Sequence, residues 1–359
     1  MSKIVSIATA VPQYAHPQNQ IMDFMQRVYA LDETENRKLR FLYRQTGIDT
    51  RYSVVPDYGL PTENWQFFPP TENLQPFPGL EKRMQWYKSY AAPLSLDAIN
   101  ACMGERDIQS ITHIITVSCT GMSAPGLDIE LVLALGLPAS TNRHSINFMG
   151  CYAAVHAMKL ADAFCKADPG SNVLIVCTEL CTLHFQKEPT LDSITSSMLF
   201  GDGSAALLVS GDTQEQGVTI DHFYAVLADR GINDMSWELS SKGFLMTLSS
   251  YVPALIEEDF GRLVGDALGS ASLERSDISH WCIHPGGKKI LEAVSKSMGL
   301  PEVSLENSYQ VLRNYGNMSS PTILFVLDQI LNRGIPVQGK IFGAAFGPGL
   351  TMETFILSA

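Results

Sequence analysis

The sequence predicts a layered α/β protein built from two similar halves. Three observations carry this. Short apolar runs alternate with longer helical patterns, the alternation starts again after Gly211, and the composition suits a large interior. Of 359 residues, 45% are hydrophobic and 17% charged, which favours extensive burial over disorder. Apolar runs of about four to eight residues separated by helices of about ten or more are the pattern of sheets covered by helices.

In chain order, residues 4–11 read as a first strand ended by Pro12, and residues 20–47 as mainly helical, with Phe24, Val28 and Leu31 on the apolar side. Residues 56–80 change character, with Pro56, Pro61, Pro69, Pro70, Pro76 and Pro78 among Trp65, Phe67, Phe68 and Phe77. Proline removes a donor and fixes the backbone, so an irregular excursion is expected, read either as a packed loop or as a lid or dimer contact. Residues 84–102 return to helix, and 111–118 form a β-rich run into Cys119-Thr120-Gly121. Residues 129–135 are helical, 145–148 approach Met149-Gly150-Cys151, and 151–166 read as one helix rich in alanine. After Pro169-Gly170 come strands at 173–176 and 204–209. The second half offers strands at 220–227, 281–284, 340–345 and 351–357, with helices at 251–268, 288–298 and 319–331. The expected units are 1–211 and 212–359.

A net charge of -12 argues against nucleic-acid binding, which needs phosphates neutralised by Lys and Arg, but leaves room for a phosphorylated small molecule held by local cations. Seven cysteines, an odd number with no CxxC pair, argue against a disulfide framework. Cys177 and Cys181 have no second pair to complete a metal site, so no metal and no cofactor are expected. The first residues lack the charge and apolar length of a signal peptide, and no apolar run is long enough for an integral membrane segment. A cytoplasmic protein is expected.

Cys151 is the candidate nucleophile. Gly150 permits a sharp turn, and a cysteine in the first helical turn faces unpaired N–H groups that favour thiolate and lower its pKa. A lone cysteine in such a place is more often structural, so its partners decide. His284 ends an apolar strand just before Pro285-Gly286-Gly287, where side chains reach the carboxyl edge of a sheet. Asn317, in Tyr315-Gly316-Asn317-Met318-Ser319-Ser320-Pro321, either caps the next helix or donates to an oxyanion.

These segments resemble the type III polyketide synthases, the chalcone- and stilbene-synthase-like family, and its bacterial alkylresorcinol- and alkylpyrone-forming members most of all. The likeness spans nearly the whole chain. It rests on Met149-Gly150-Cys151-Tyr152-Ala153-Ala154, Leu199-Phe200-Gly201-Asp202-Gly203-Ser204, Ile283-His284-Pro285-Gly286-Gly287, the Asn317 segment and Phe346-Gly347-Pro348-Gly349-Leu350. The resemblance implies a thiolase-type fold, a five-layered αβαβα body, and a homodimer. It implies a catalytic Cys151, His284 and Asn317, acyl-CoA starter and malonyl-CoA as substrates, and neither metal nor tethered carrier domain. An acyl group loaded on the cysteine would be extended by decarboxylated malonyl units and then cyclised.

Phe200 corresponds to the family's gating phenylalanine, and Met246 to a second one. Cys181 and His184 stand at cavity positions that are threonine in plant chalcone synthases, and Cys119 at a third such position. Ala124 replaces a methionine that reaches across the dimer, and Phe346 belongs to the final motif. These replacements argue against a flavonoid-type product, and Cys119, Cys181 and Ala124 are small enough to suit a channel for a long apolar acyl chain. Arg51 with Arg44 lies where the family places cations for CoA phosphates. Three rivals stay open. A CoA-primed ketoacyl-acyl-carrier-protein synthase-like enzyme would depend on a carrier protein. A Cys-His-Asn hydrolase would act without malonyl-CoA. A catalytically silent dimeric scaffold would have no turnover.

Overall fold

The computed structural model describes residues 1–71, 73–332 and 337–359. β1 (Lys3–Ala10) is followed by β2 (Tyr14–Pro17), α1 (Gln18–Tyr29), α2 (Glu33–Gln45) and β3 (Thr50–Ser53), which pairs back on β2. α2 starts at a capping box in which Asp32 and Glu35 exchange side-chain-to-amide hydrogen bonds. Next come α3 (Leu80–Met103), β4 (His113–Ser118), α4 (Leu127–Leu135) and β5 (Asn142–Asn147). α5 (Ala153–Ala167), β6 (Asn172–Leu180), α6 (Leu191–Leu199) and β7 (Asp202–Ser210) complete the first half. The second half runs β8 (Val218–Leu227), β9 (Met235–Ser240), β10 (Gly243–Leu248), α7 (Val252–Ser270) and β11 (Ile278–Ile283). It continues through α8 (Lys288–Met298), α9 (Glu306–Tyr315), α10 (Thr322–Leu331), β12 (Lys340–Gly347) and β13 (Thr351–Ser358).

Nine strands form one sheet in the order β11-β12-β13-β8-β1-β7-β6-β4-β5. Read outward from the centre, β1-β7-β6-β4 and β8-β13-β12-β11 show the same succession of antiparallel, antiparallel and parallel neighbours. The topology is therefore duplicated. The two sets meet where β1 pairs β8 over Lys3↔Thr219 and Ile4↔Val218.

Three apolar cores separate the layers. The central one packs α5 and α10 between both strand sets, with Ala153, Ala154, Ala157 and Ala161 fully buried beside Ile323, Leu324 and Leu327. Alanine suits that position because small side chains let helices and strands approach closely at interior density. A second core places α3 over the outer face of the first strand set, and a third places α7 and α8 over the second. The result is helix, first strand set, helix, second strand set, helix, the two sets being continuous through β1 and β8, as the resemblance implied. β6 and β7 are buried along nearly their whole length, which is why they read as continuous apolar runs rather than alternating ones.

The proline-rich excursion packs down as a loop. Asp57 is fully buried and accepts the amides of Gln66, Phe67 and Phe68 at 2.8, 2.9 and 2.6 Å. Phe67, Phe68 and Leu74 reach the second core. Several elements differ from expectation. β5 is a full strand, and the helix expected from Ser319 begins only at Thr322, because Ser319 adopts a φ of 61°. α6 and α9 escaped notice because their sequences are largely polar: LDSITSSML buries Ser197 and Leu199, and ENSYQVLRNY buries Ser308, Val311 and Leu312.

Candidate active site

Three chain segments from both halves converge on one cavity. Cys151 sits in a 3-10 turn, Gly150–Tyr152, that leads into α5. Gly150 has a φ of 78°, and a Cβ there would fall 2.3 Å from Pro348 Cδ, so this turn requires glycine. His284 follows β11, and its amide donates to the Ala344 carbonyl at 2.9 Å. Asn317 lies between α9 and α10 and is strapped by its backbone to the Phe200 segment. Its amide donates to Leu199 O, and the Gly201 amide donates to Asn317 O, both at 2.9 Å.

Cys151, His284 and Asn317 are 7%, 1% and 3% exposed, and all three line a cavity of about 260 Å³. The Asn317 carbonyl oxygen accepts the Ser319 amide at 2.8 Å, while its NH₂ donates to Gly286 O at 3.2 Å. That fixes which way the amide points, with the NH₂ also in hydrogen-bond reach of the Cys151 sulfur. Neither ring nitrogen of His284 has a hydrogen-bond partner within the described residues. A buried imidazole without partners is costly unless a bound reactant supplies them.

The expected acidic thiol is corrected. Burial pushes the Cys151 thiol up to about 11, against the pull of the Ser319 hydroxyl, to which it donates at 3.6 Å. The 3-10 turn holds the sulfur ahead of α5, and desolvation outweighs the helix end. Burial likewise brings His284 down to about 3. Burial thus favours the uncharged form of both groups.

Glu179, at the end of β6, is a site-forming residue whose role sequence reasoning missed. Fully buried, it accepts the Cys119 amide at 2.9 Å, Thr120 Oγ1 at 2.7 Å and Ser320 Oγ at 2.8 Å. It thus ties β6 to the turns carrying Cys119 and Ser319. Burial brings its carboxyl up to about 7, opposed by those donors. A lone acid ending an apolar strand was the available signal.

Cys119, Cys181, Phe200, Met246 and Phe346 line the same cavity, and Cys119 Sγ accepts the Gly150 amide at 3.1 Å. The other expected contacts lie elsewhere. Ala124 is exposed in the turn before α4, away from the cavity. His184 is buried with both nitrogens occupied: Nδ1 accepts the Phe244 amide at 3.1 Å, so Nε2 donates to Thr120 O at 2.7 Å. It lines a second cavity that adjoins the first, with its ring stacked on Phe244. Arg51 is buried rather than presented to solvent, with Nε donating to Gln18 Oε1 at 2.9 Å and Nη1 to Phe200 O at 2.6 Å. Arg44 is exposed on α2 just outside the cavity. The cations that line the mouth itself are Lys288 and Lys289, in the first turn of α8, which sequence reading did not single out.

The arrangement suits acyl transfer: a buried thiol that attacks a thioester and later leaves, an imidazole to take its proton, and an amide N–H for charge on oxygen. Among the described residues no helix is long and apolar enough to cross a membrane. Residues 1–213 match the N-terminal domain of chalcone and stilbene synthases, and residues 227–359 match the C-terminal domain. The chain is 28% identical to the alpha-pyrone synthesis polyketide synthase-like Pks18 of Mycobacterium tuberculosis, covering 98% of this chain and 89% of that one. It is 28% identical to the 3,5-dihydroxyphenylacetyl-CoA synthase of Amycolatopsis orientalis, covering 99% and 93%. Similarity to a probable polyketide synthase 1 of Dictyostelium discoideum is 30% over 98% of this chain, which spans 11% of that longer protein. The crystal structure of PKS-I from the brown alga Ectocarpus siliculosus superposes with a TM-score of 0.93 at 29% identity, covering 99% of this chain and 98% of that one. The chain therefore belongs to the chalcone and stilbene synthase family and is a type III polyketide synthase, an enzyme of decarboxylative condensation.

Proposed function

We propose that this enzyme loads a medium or long fatty acyl group onto Cys151, extends it with malonyl-CoA, and cyclises the product to an alkylpyrone or alkylresorcinol. The observation that carries this reading is a second cavity of about 350 Å³ that shares Cys181, Phe200, Trp237 and Met246 with the first. Ile21, Met25, Phe185, Phe244 and Leu245 line it beside polar residues such as Glu188, Asp192, Ser193 and Lys242, so an apolar chain anchored at Cys151 would find apolar side chains along part of the wall beyond the Cys181–Met246 boundary. A cysteine and a flexible thioether at that boundary offer little bulk and can yield.

The residues divide the work as follows. The Cys151 thiol attacks the starter thioester, His284 takes its proton, and CoA leaves. In the extension step, His284 in its N–H form and an Asn317 N–H hold the malonyl thioester oxygen as carbon dioxide departs. Both are preorganised in a buried site, where such donors stabilise developing charge most. Rim cations Lys288 and Lys289 suit the CoA phosphates. We take residues 1–211 as the half bearing the nucleophile and 212–359 as the half bearing His284 and Asn317. The working form is read as a cytoplasmic homodimer with Ala124 facing the partner.

Incubation of purified enzyme with malonyl-CoA and starters of graded length, followed by product mass analysis, tests the reading. Best turnover with chains of ten or more carbons is expected; preference for short aromatic starters overturns it.

A further inference from the structure

α6 stands between the two cavities and shows each a different face. Leu191, Thr195, Met198 and Leu199 line the first, whereas Asp192, Ser193, Ser196 and Ser197 line the second. Other walls of the second cavity come from α1, with Ile21 and Met25, and from β10, with Phe244 and Leu245. The cavity is therefore apolar on some sides and rich in hydroxyls on another, more polar than a plain alkyl chain needs.

Several of its polar groups are already paired. Lys242 and Glu188 meet at 2.9 Å, Asp192 accepts the Leu248 amide at 3.2 Å, and Ser197 donates to Ile194 O at 2.8 Å. Gln186 Oε1 and Ser196 Oγ are not: both are buried without a hydrogen-bond partner among the described residues. Arg51 Nη2 also lacks one, but has the Tyr43 hydroxyl in reach. The Gln186 amide gains nothing by turning over. Its Nε2 donates to His184 O at 3.0 Å and to Lys242 O at 3.2 Å, and a flip would set an oxygen against both carbonyls. A buried polar atom left bare is costly, so these two mark the place of a missing partner.

We propose that the second cavity takes the distal part of a hydroxylated acyl starter, its hydroxyl donating to Gln186 Oε1 or accepting from Ser196 Oγ. The proposal rests on reading the enzyme as primed by fatty acyl groups, and it names the chemical class of that starter. Gln186 selects the group. An acceptor needs a donor, which a hydroxyl has and which a ketone, an ether or a bare methylene lacks. Position selects the starter over the growing chain. Each malonyl unit enters between the Cys151 sulfur and the starter, so new carbonyls stay in the first cavity while the far end moves into the second. Ser196 lies one helical turn before Phe200, about 6 Å along the helix axis, which puts the hydroxyl beyond the boundary and toward the far end of the chain.

The test supplies malonyl-CoA with starters of equal length: dodecanoyl-CoA, and its hydroxy and oxo derivatives with the oxygen moved along the distal half of the chain. The oxo group matches the hydroxyl in bulk and accepts hydrogen bonds but donates none. kcat/KM is measured for the unaltered enzyme, for Ser196→Ala, which removes an atom with no partner, and for Gln186→Met, whose folding is checked by thermal unfolding. At the best position the hydroxyl should raise kcat/KM about tenfold over the plain chain, with the oxo group giving no such gain. The preference should fall to about twofold or less in each variant. Equal use of plain and hydroxylated chains, equal use of oxo and hydroxy chains, or a preference unchanged in both variants overturns the proposal. If no chain of this length is extended while a short aromatic starter is, the fatty-acyl reading itself has failed, and the plain dodecanoyl arm tells that failure from the others.

Discussion

Arg51 Nη1 donates to the Phe200 carbonyl at 2.6 Å, and this bond holds the backbone on which Phe200 and Asn317 depend. The Phe200 segment exchanges two backbone bonds with Asn317, so the guanidinium helps position both residues while also lining the second cavity. Arg51→Lys keeps the charge but loses the fork that reaches Gln18 and Phe200 at once. Bonds from charged donors contribute about 1.5–3 kcal/mol, so kcat should fall about tenfold with a smaller change in KM. A changed KM alone would assign Arg51 to substrate binding instead.

Asn317→Ala should remove malonyl-CoA decarboxylation more than starter loading. In the proposed mechanism, loading uses the thiol and His284, whereas decarboxylation places charge on an oxygen that the Asn317 N–H would meet. Acyl adducts counted by intact-protein mass and carbon dioxide release separate the two steps. Equal loss of both would contradict the assignment. Cys151→Ala should show no adduct and no product.

Gly150→Ala should be poorly tolerated. It puts a side chain at a φ of 78° and a methyl 2.3 Å from Pro348. The combined strain and overlap cost on the order of 2–4 kcal/mol, and thermal unfolding should shift down by several degrees.

Cys181→Phe or Met246→Phe should shorten the chains the enzyme accepts, because both residues stand in both cavities. The longest starters should lose turnover first, with short starters little affected. Uniform loss across lengths would place the chain elsewhere.

Acid should destabilise the fold through His184. Burial holds its pKa at about 3 against an ordinary 6.5, so the unfolded chain takes up the proton first as pH falls. Its stabilising contribution is intact above pH 6.5 and is lost progressively toward pH 3. His184→Gln should lower the melting temperature at pH 7.5, by losing the Phe244 bond, while flattening the decline between pH 6.5 and 4. Glu179 and Asp202, raised to about 7 and about 6, titrate with opposite sign, so the difference between variant and parent is the quantity to measure.

Much of this was legible in sequence. The alternation of apolar runs and helices, the glycine before Cys151 and the turn after His284 are local patterns with local physical causes. Cys151, His284, Asn317, Phe200 and Met246 share one cavity as expected from their motifs. What stayed hidden depends on burial that no local pattern encodes. Arg51 and His184 read as available polar groups because sequence does not show that neighbours from distant segments consume their donors and acceptors. The thiol's pKa was misjudged for the same reason: the helix end is local, while the desolvation that outweighs it comes from the whole fold.

The seam at which β1 meets β8 has a consequence for synthesis of the chain. Strands of the two halves join there through two residue pairs, and Cys151 lies on one side of the sequence divide with His284 and Asn317 on the other. A nascent chain that has emerged only through its first half therefore carries a thiol with no base and no oxyanion donor. Under the proposed division of labour, acyl transfer through all three residues requires both halves to be in place. Competence for catalysis becomes a proof of completed folding.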